Sequence, residues 1–276
     1  MINRSILLLI IMLSSFFTAN IYAKEEHVYL IGVVPQFEIR HLRKIWNPII
    51  SEIKKKTGIK LKLIGSPNIP DFEREFNNGK FDFAYMNPYH VILANKSQSY
   101  IPLVRDNGRK LHGILVVKKG SKFKSIKDLD GKKVAFPAPN SLGASLLIRA
   151  DLKNKYHIDI HPVYVKTHSS VYLNVVVNQA AAGGAVQKTL NQQKENIKSA
   201  LHVLYRTPKV APHPLAAHPR VPAKVVKAVK NALLLLGENE TGKALLANIP
   251  MKKIGSASMA DYTPLLKLNL DQFYAK

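Results

Sequence analysis

The chain has 276 residues, 41 Lys and Arg against 18 Asp and Glu, a formal net charge of +23 and no cysteine. The missing cysteine excludes disulfides, thiolate metal sites, a cysteine nucleophile and lipid attachment behind an export signal; a mature chain of about 250 residues can bury enough core without such staples. Few aromatic residues interleave with the lysines, so the charge does not build a base-stacking surface and no nucleic-acid partner is expected.

The basic clusters Lys54-Lys55-Lys56, Lys118-Lys119, Lys132-Lys133 and Lys252-Lys253 describe a solvated surface. A field that gathers anions toward a cleft is the functional alternative. In chain order, Arg4 precedes an apolar run over residues 6–17 and a small-residue exit over residues 18–23. That is the layout of a secretory signal peptide cleaved after Ala23, and it predicts a periplasmic protein. Ile21 is large for its place before the cut, so an uncleaved anchor is the alternative, although the apolar core falls short of the roughly 20 residues that span a bilayer.

The mature part alternates strands and helices, the pattern of an α/β domain. Residues 28–34 predict a buried strand, and Leu42, Ile45, Trp46, Ile49, Ile50 and Ile53 fall at helical spacing up to a stop at Gly58. Strands follow at 60–64 and 81–86, with a short helix at 71–78 between them and Pro88 opening the next helix. A second set has strands at 113–117, 134–136, 162–165, 180–186 and 202–205. Its helices cover 142–152 and a segment capped by Ser169 or Ser170 that runs to Asn178. Gly183-Gly184 marks a strand passing close to other backbone. The tail predicts helices at 222–236, 240–247 and 261–274. Two crossings, near residues 111–115 and 206–212, divide the mature chain into a first lobe (24–112 with 210–276) and a second (113–209), with a ligand cleft between them.

Chemistry concentrates in strand-to-helix loops. Ser141, Leu142, Gly143, Ala144 and Ser145 open a helix whose first N–H groups have no internal partner, and the helix dipole makes that end positive. Such an end holds an oxyanion well, with help from serine hydroxyls; the plain alternative is that Ser141 caps the helix. His168 and Ser169 form a second such loop, for which the plain reading is a surface histidine beside a capping serine. Across the cleft, Tyr85, Asn87 and Tyr89 end a strand and can offer phenol and amide donors, although tyrosines at strand ends mostly pack. Gln36 ends the first strand, His213 sits at the second crossing, and Gln187 follows the glycine-rich strand. The ten histidines lack metal-ligand spacing, and no H-E-x-x-H pattern, phosphate-binding glycine loop or nucleophile elbow occurs. No cofactor, no metal and no catalytic residue are expected.

These segments resemble the phosphate/phosphite/phosphonate substrate-binding proteins of ABC transporters. The likeness rests on Gly32-Val33-Val34-Pro35, Trp46-Asn47-Pro48-Ile49 with Thr57-Gly58, and Asn78-Gly79-Lys80-Phe81-Asp82-Phe83-Ala84. It continues through residues 128–136, Asn140-Ser141 and His168. The resemblance implies a type II periplasmic-binding fold, two α/β lobes joined by two crossover strands, with the first lobe completed by C-terminal helices. In phosphonate binders the helix-opening loop is Ser-Thr-Ser-Gly; here Ser141 matches but the next two hydroxyls are absent. His213 stands where an aspartate is expected, Gln187-Lys188-Thr189 covers a glutamate region, and Ala181-Ala182 replaces a valine-aspartate. Carboxylates suit a cationic amine and repel a bare dianion, so their loss points away from 2-aminoethylphosphonate and toward a simpler oxyanion or a different solute altogether. The expected protein is a monomer that captures a small oxyanion for an ABC permease. A module signalling to a membrane kinase or cyclase is the alternative, and an enzyme on the same scaffold a remoter one.

Overall fold

The computed structural model describes residues 27–249 and 251–275; the expected signal segment lies outside them. Among the described residues, eleven strands form two sheets. The first has the order β11-β4-β10-β3-β1-β2 and the second β7-β6-β8-β5-β9.

In the first sheet β1 (Val28–Val33) pairs in parallel with β2 (Lys60–Ile64) and β3 (Phe83–Tyr85). β10 (Leu215–Ala217) runs antiparallel to both β3 and β4 (Ile101–Asp106), and β11 (Ile254–Ser256) closes the edge on β4. Helix α1 (Ile39–Thr57) buries Leu42, Trp46, Ile49 and Ile53, the stripe its 3.6-residue spacing predicts. It ends at Gly58, whose φ of 73° makes the left-handed turn that glycine adopts at low cost; the Gly58 N–H donates to the Lys54 carbonyl at 2.7 Å. Lys54, Lys55 and Lys56 occupy the last turn, where the dipole favours cations. That cluster therefore has a local explanation.

Helix α2 (Ile69–Asn77) is capped by Asn68, and α3 (Pro88–Gln98) by Asn87 with proline just inside. The chain then crosses to the second sheet and returns. The two crossings bond to each other: Leu111 and Val210 exchange N–H···O bonds of 2.9 and 2.8 Å. Beside them, the Gly113 N–H donates to Thr207 Oγ1 at 2.8 Å.

The second sheet contains β5 (Gly113–Lys118), β6 (Lys133–Phe136), β7 (His161–Tyr164), β8 (Ala182–Val186) and β9 (Leu201–Arg206). β6 is parallel to β7 and β8, while β5 is antiparallel to β8 and β9. Helices α4 (Leu147–Asn154) and α5 (His168–Val176) cover its faces, with short α6 (Gln187–Asn191) and α7 (Glu195–Ser199) leading into β9. Helices α8 (Ala223–Leu236) and α9 (Glu240–Asn248) return to the first lobe. Leu142, Leu146, Leu147 and Ala150 of the second lobe join the buried cluster of the first, so apolar packing links the lobes.

Several expectations need correction. The segment after Ser141 opens as a π turn, Leu142–Leu146, and becomes α-helical only at Leu147. Its carbonyls explain the choice. A Cβ on Gly113 would collide with the Gly143 oxygen, and one on Gly184 with the Ala144 oxygen. The wide turn is thus seated directly on glycine backbone of the sheet, as Gly184 foretold. Thr167, not Ser169 or Ser170, caps α5: its Oγ1 accepts from the Ser170 N–H at 3.1 Å, and the helix already begins at His168. The final segment is a series of 3₁₀ turns (Met259–Asp261, Thr263–Leu268 and Leu270–Phe273), because Pro264 and the left-handed Asn269 interrupt a continuous helix. Strands β4, β10 and β11 lie outside the predicted set. Two of them have three residues, too short for a period-2 signal.

Candidate functional site

The carboxyl ends of the parallel strands in each sheet form the two sides of the site, where α/β folds habitually place ligands. On the first-lobe side, Val33 pairs with Tyr85, and Leu215 of β10 lies opposite Tyr85, bringing Gln36 and His213 to the same edge. The Gln36 amide donates to His213 Nε2 at 2.9 Å, which puts the ring proton of a neutral His213 on Nδ1. The Tyr85 ring lies between His213 and Trp46, with centroids 5.6 and 5.1 Å away. Burial pushes the His213 imidazole down to about 3, helped by His90, so the ring is neutral near pH 7. Tyr85 is buried, and its hydroxyl has no hydrogen-bond partner. Burial drives that phenol far above its ordinary value, against the pull of Arg109 and with a push from Asp106. It stays a protonated donor.

On the second-lobe side, the loop leaving β6 carries Asn140 and Ser141 into the π turn, and the loop leaving β7 carries His168. Ser141 is half-buried, and its carbonyl accepts from the N–H groups of Ser145 (2.8 Å) and Leu146 (3.1 Å). The N–H groups of Leu142, Gly143 and Ala144 precede the first closed turn, the position at which a helix has donors to spare. Ser145 is fully buried with an unpartnered hydroxyl. His168 keeps some exposed surface, but its Nδ1 is buried without a partner. Desolvation lowers that imidazole to about 4, so it too is neutral near pH 7. Ser169 is exposed beside it.

Three other predicted residues have structural partners. Asn87 Oδ1 caps α3, accepting from the Tyr89 and His90 N–H groups at 2.8 Å each, and its amide donates to the Asn140 carbonyl at 3.3 Å. The Tyr89 hydroxyl donates to Asp271. Gln187 accepts from Arg206 at 2.5 Å and donates to Asn191 at 2.8 Å.

The contact across the site runs through residues that sequence reasoning left out. Buried Asn140 donates to Glu73 Oε2 at 2.9 Å and to the Ala275 carbonyl at 2.8 Å, and accepts from the Ala275 N–H at 2.9 Å. Glu73 also bonds the fully buried His90 at 2.8 Å. Arg149 of α4 donates to the Phe273 carbonyl. A helix acid, a loop amide and the end of the chain thus tie the oxyanion-type loop to the first lobe. Their separations of 67 and 135 residues leave no local pattern. Asn140 alone had a signal, as part of the Asn140-Ser141 motif.

A family model described as the periplasmic substrate-binding protein of a phosphonate ABC transporter matches residues 31–262. The chain belongs to this family. Among solved structures, a binding-protein component of an ABC phosphonate transporter from Pseudomonas aeruginosa superposes with a TM-score of 0.78 at 17% identity, covering 90% of this chain and 87% of that one. PhnD1 from Prochlorococcus marinus, in complex with methylphosphonate, gives 0.77 at 18% identity over 89% and 98%. A Xanthomonas citri protein bound to chloride gives 0.76 at 14% identity over 89% and 98%. At these identities the likeness establishes the fold, a type II periplasmic-binding architecture of two lobes. As a member of the phosphonate-binding family, the chain is a transport substrate-binding protein. No helix among its described residues is long and apolar enough to cross a membrane.

Proposed function

We propose that this protein is exported to the periplasm, captures a small tetrahedral oxyanion of the phosphate, phosphite or phosphonate class between its lobes, and presents it as a monomer to an ABC permease. One observation carries the reading. Among the buried polar groups without a partner are the Tyr85 hydroxyl from one side and the Ser145 hydroxyl and His168 Nδ1 from the other. Leaving such groups unpaired costs roughly 1–3 kcal/mol each, a penalty a bound anion removes. All three lie at strand-to-helix junctions singled out by the sequence: Tyr85 ends β3, Ser145 lies in the π turn and His168 opens α5. With the π-turn amides they would surround a tetrahedral anion with neutral donors in a low dielectric, where each N–H···O contact is strong.

The chemistry of the donors narrows the ligand. Gln36, Tyr85, Ser145, His168 and His213 include no carboxylate, and nearby Glu73 and Asp106 are already engaged by His90 and Asn140, and by Arg109. A ligand amine would have no counter-charge. The preferred guest is therefore an unsubstituted or alkyl oxyanion, in keeping with the methylphosphonate named for the P. marinus relative. Ligand would shift an open–closed equilibrium whose closed form the permease reads.

The test is calorimetry of the purified mature chain with phosphate, phosphite, methylphosphonate, sulfate and 2-aminoethylphosphonate. One site per chain for at least one of the first three, with 2-aminoethylphosphonate weaker, is the expected result. The reading fails if none of the oxyanions binds, or if combining Tyr85→Phe, Ser145→Ala and His168→Ala leaves the affinity unchanged.

A further inference from the structure

The lysine pairs 118-119 and 132-133 have no role in the cleft, and unlike residues 54–56 they do not sit on a helix C-terminus. The second sheet brings them together. Lys118 ends β5, Lys133 begins β6, and each strand flanks β8. With Lys122 they line an open pocket of about 570 Å³, whose other walls include Ser121, Asn178 and Gln179. This is the edge of the sheet opposite Ser141 and His168, since β6 enters the pocket side and leaves toward the cleft.

Four features make this pocket more than a basic surface. Lys118, Lys122, Lys132 and Lys133 all line it, no carboxylate does, and none of the four has a carboxylate partner among the described residues. Nearby acids are engaged: Asp128 accepts from the Lys124 and Ser125 N–H groups, Asp130 from the Asp159 N–H, and Asp159 from Lys153. Three carbonyls in the last turn of α5, which could otherwise attract lysines, accept from main-chain donors: Leu173 from Val177, Asn174 from Gln179, and Val175 from Asn178. Finally, the Ser121 hydroxyl is buried in the same wall without a partner. Converging like charges with no counter-ion destabilise the fold unless an anion joins them.

We infer that this pocket is a second anion site, separate from the interlobe cleft, that takes a phosphate-bearing group with two or more negative charges. Its volume falls among pockets that hold ligands larger than a single ion, roughly 300–1,000 Å³. Four lysines match a diphosphate or two neighbouring phosphates better than one monoanion. The same chemistry comes from a free diphosphate or from adjacent headgroups of an anionic bilayer, where each lysine near the surface adds attraction.

Two arms separate these sources. Inorganic pyrophosphate is titrated by calorimetry into the chain carrying Tyr85→Phe and His168→Ala, so that the cleft does not compete. In parallel, vesicles of phosphatidylcholine with and without phosphatidylglycerol are sedimented with the wild-type chain. Binding in either arm is expected, and the arm identifies the source. Replacing Lys118, Lys122, Lys132 and Lys133 together by Gln should weaken it at least tenfold, and Ser121→Glu, which places a carboxylate among them, should do the same. Replacing Lys54, Lys55, Lys56 and Lys224 by Gln removes equal charge and should change it less than twofold. The inference is overturned if neither probe binds, or if the control set loses as much as the pocket set. Neither result bears on oxyanion capture in the cleft.

Discussion

The two sides of the cleft are built on opposite principles. On the first-lobe side most of the predicted site residues have a protein partner: Gln36 holds His213, Asn87 caps α3 and Tyr89 holds Asp271, while Glu73 holds one ring nitrogen of His90 and leaves the other unpaired. On the second-lobe side the Ser145 hydroxyl and His168 Nδ1 are buried and unpartnered, beside the spare amides of a π turn. Tyr85 is the first lobe's one contribution of that kind among the predicted site residues. On the proposed function, the better-satisfied side serves as a wall and the less satisfied side supplies the capacity for a ligand. Removing a group should therefore cost stability on the first side and affinity on the second.

The sharpest test of this contrast is Glu73→Ala, which leaves His90 and Asn140 buried and short of a partner. Two such groups should cost about 2–5 kcal/mol in urea denaturation, and a loss below 1 kcal/mol would remove the wall from the comparison. His168→Ala should do the reverse. Oxyanion affinity falls by about 1.5–3 kcal/mol, roughly ten- to a hundredfold by calorimetry, while ligand-free stability holds or rises, because an unpaired buried group has gone. Gly184→Ala probes the seat of the π turn. The new methyl meets the Ala144 carbonyl, so about 1–3 kcal/mol of stability should be lost in thermal melts, and affinity with it as the amides move.

The smallest effect is on pH. His168 and His213 have imidazoles lowered to about 4 and 3 by burial. Both are neutral from pH 5 to 8, so affinity should show no histidine step near 6.5, and a step that disappears in His168→Ala would contradict the neutral donor. For folding the sign is set by linkage. Below about 6.5 the unfolded chain takes up protons on these rings while the folded chain does not. Their contribution is therefore complete above pH 6.5, declines as pH falls from there to about 3–4, and then levels off. Acid melts of the His168→Ala variant should decline less over that window.

Much of this was legible without coordinates. The period of Leu42, Trp46, Ile49 and Ile53 announces α1 and its buried face, and apolar runs announce three of the six described strands of the first sheet and all five of the second. The strand-to-helix loops at Ser141 and His168 were recognisable because a helix start always has unpaired amides. The Glu73–Asn140–Ala275 tie was not, since nothing local marks an asparagine that will bond a helix acid and the chain end. The π turn escaped for a related reason: its shape is set by Gly113 and Gly184 beneath it, and apolar spacing over five residues suits an α turn equally well. Ser169 and Ser170 invited the capping role that belongs to Thr167, because three hydroxyls within four residues differ only in which backbone is extended.

By itself, then, the chain's pattern determined most of the helices and strands and marked the strand-to-helix loops whose helix starts have unpaired amides, for these depend on residues within a turn or two of each other. Which of those donors are buried, which are already engaged and which lysines converge was decided by tertiary structure alone. Desolvation and partnership are properties of surroundings, and here the surroundings come from parts of the chain up to 182 residues away.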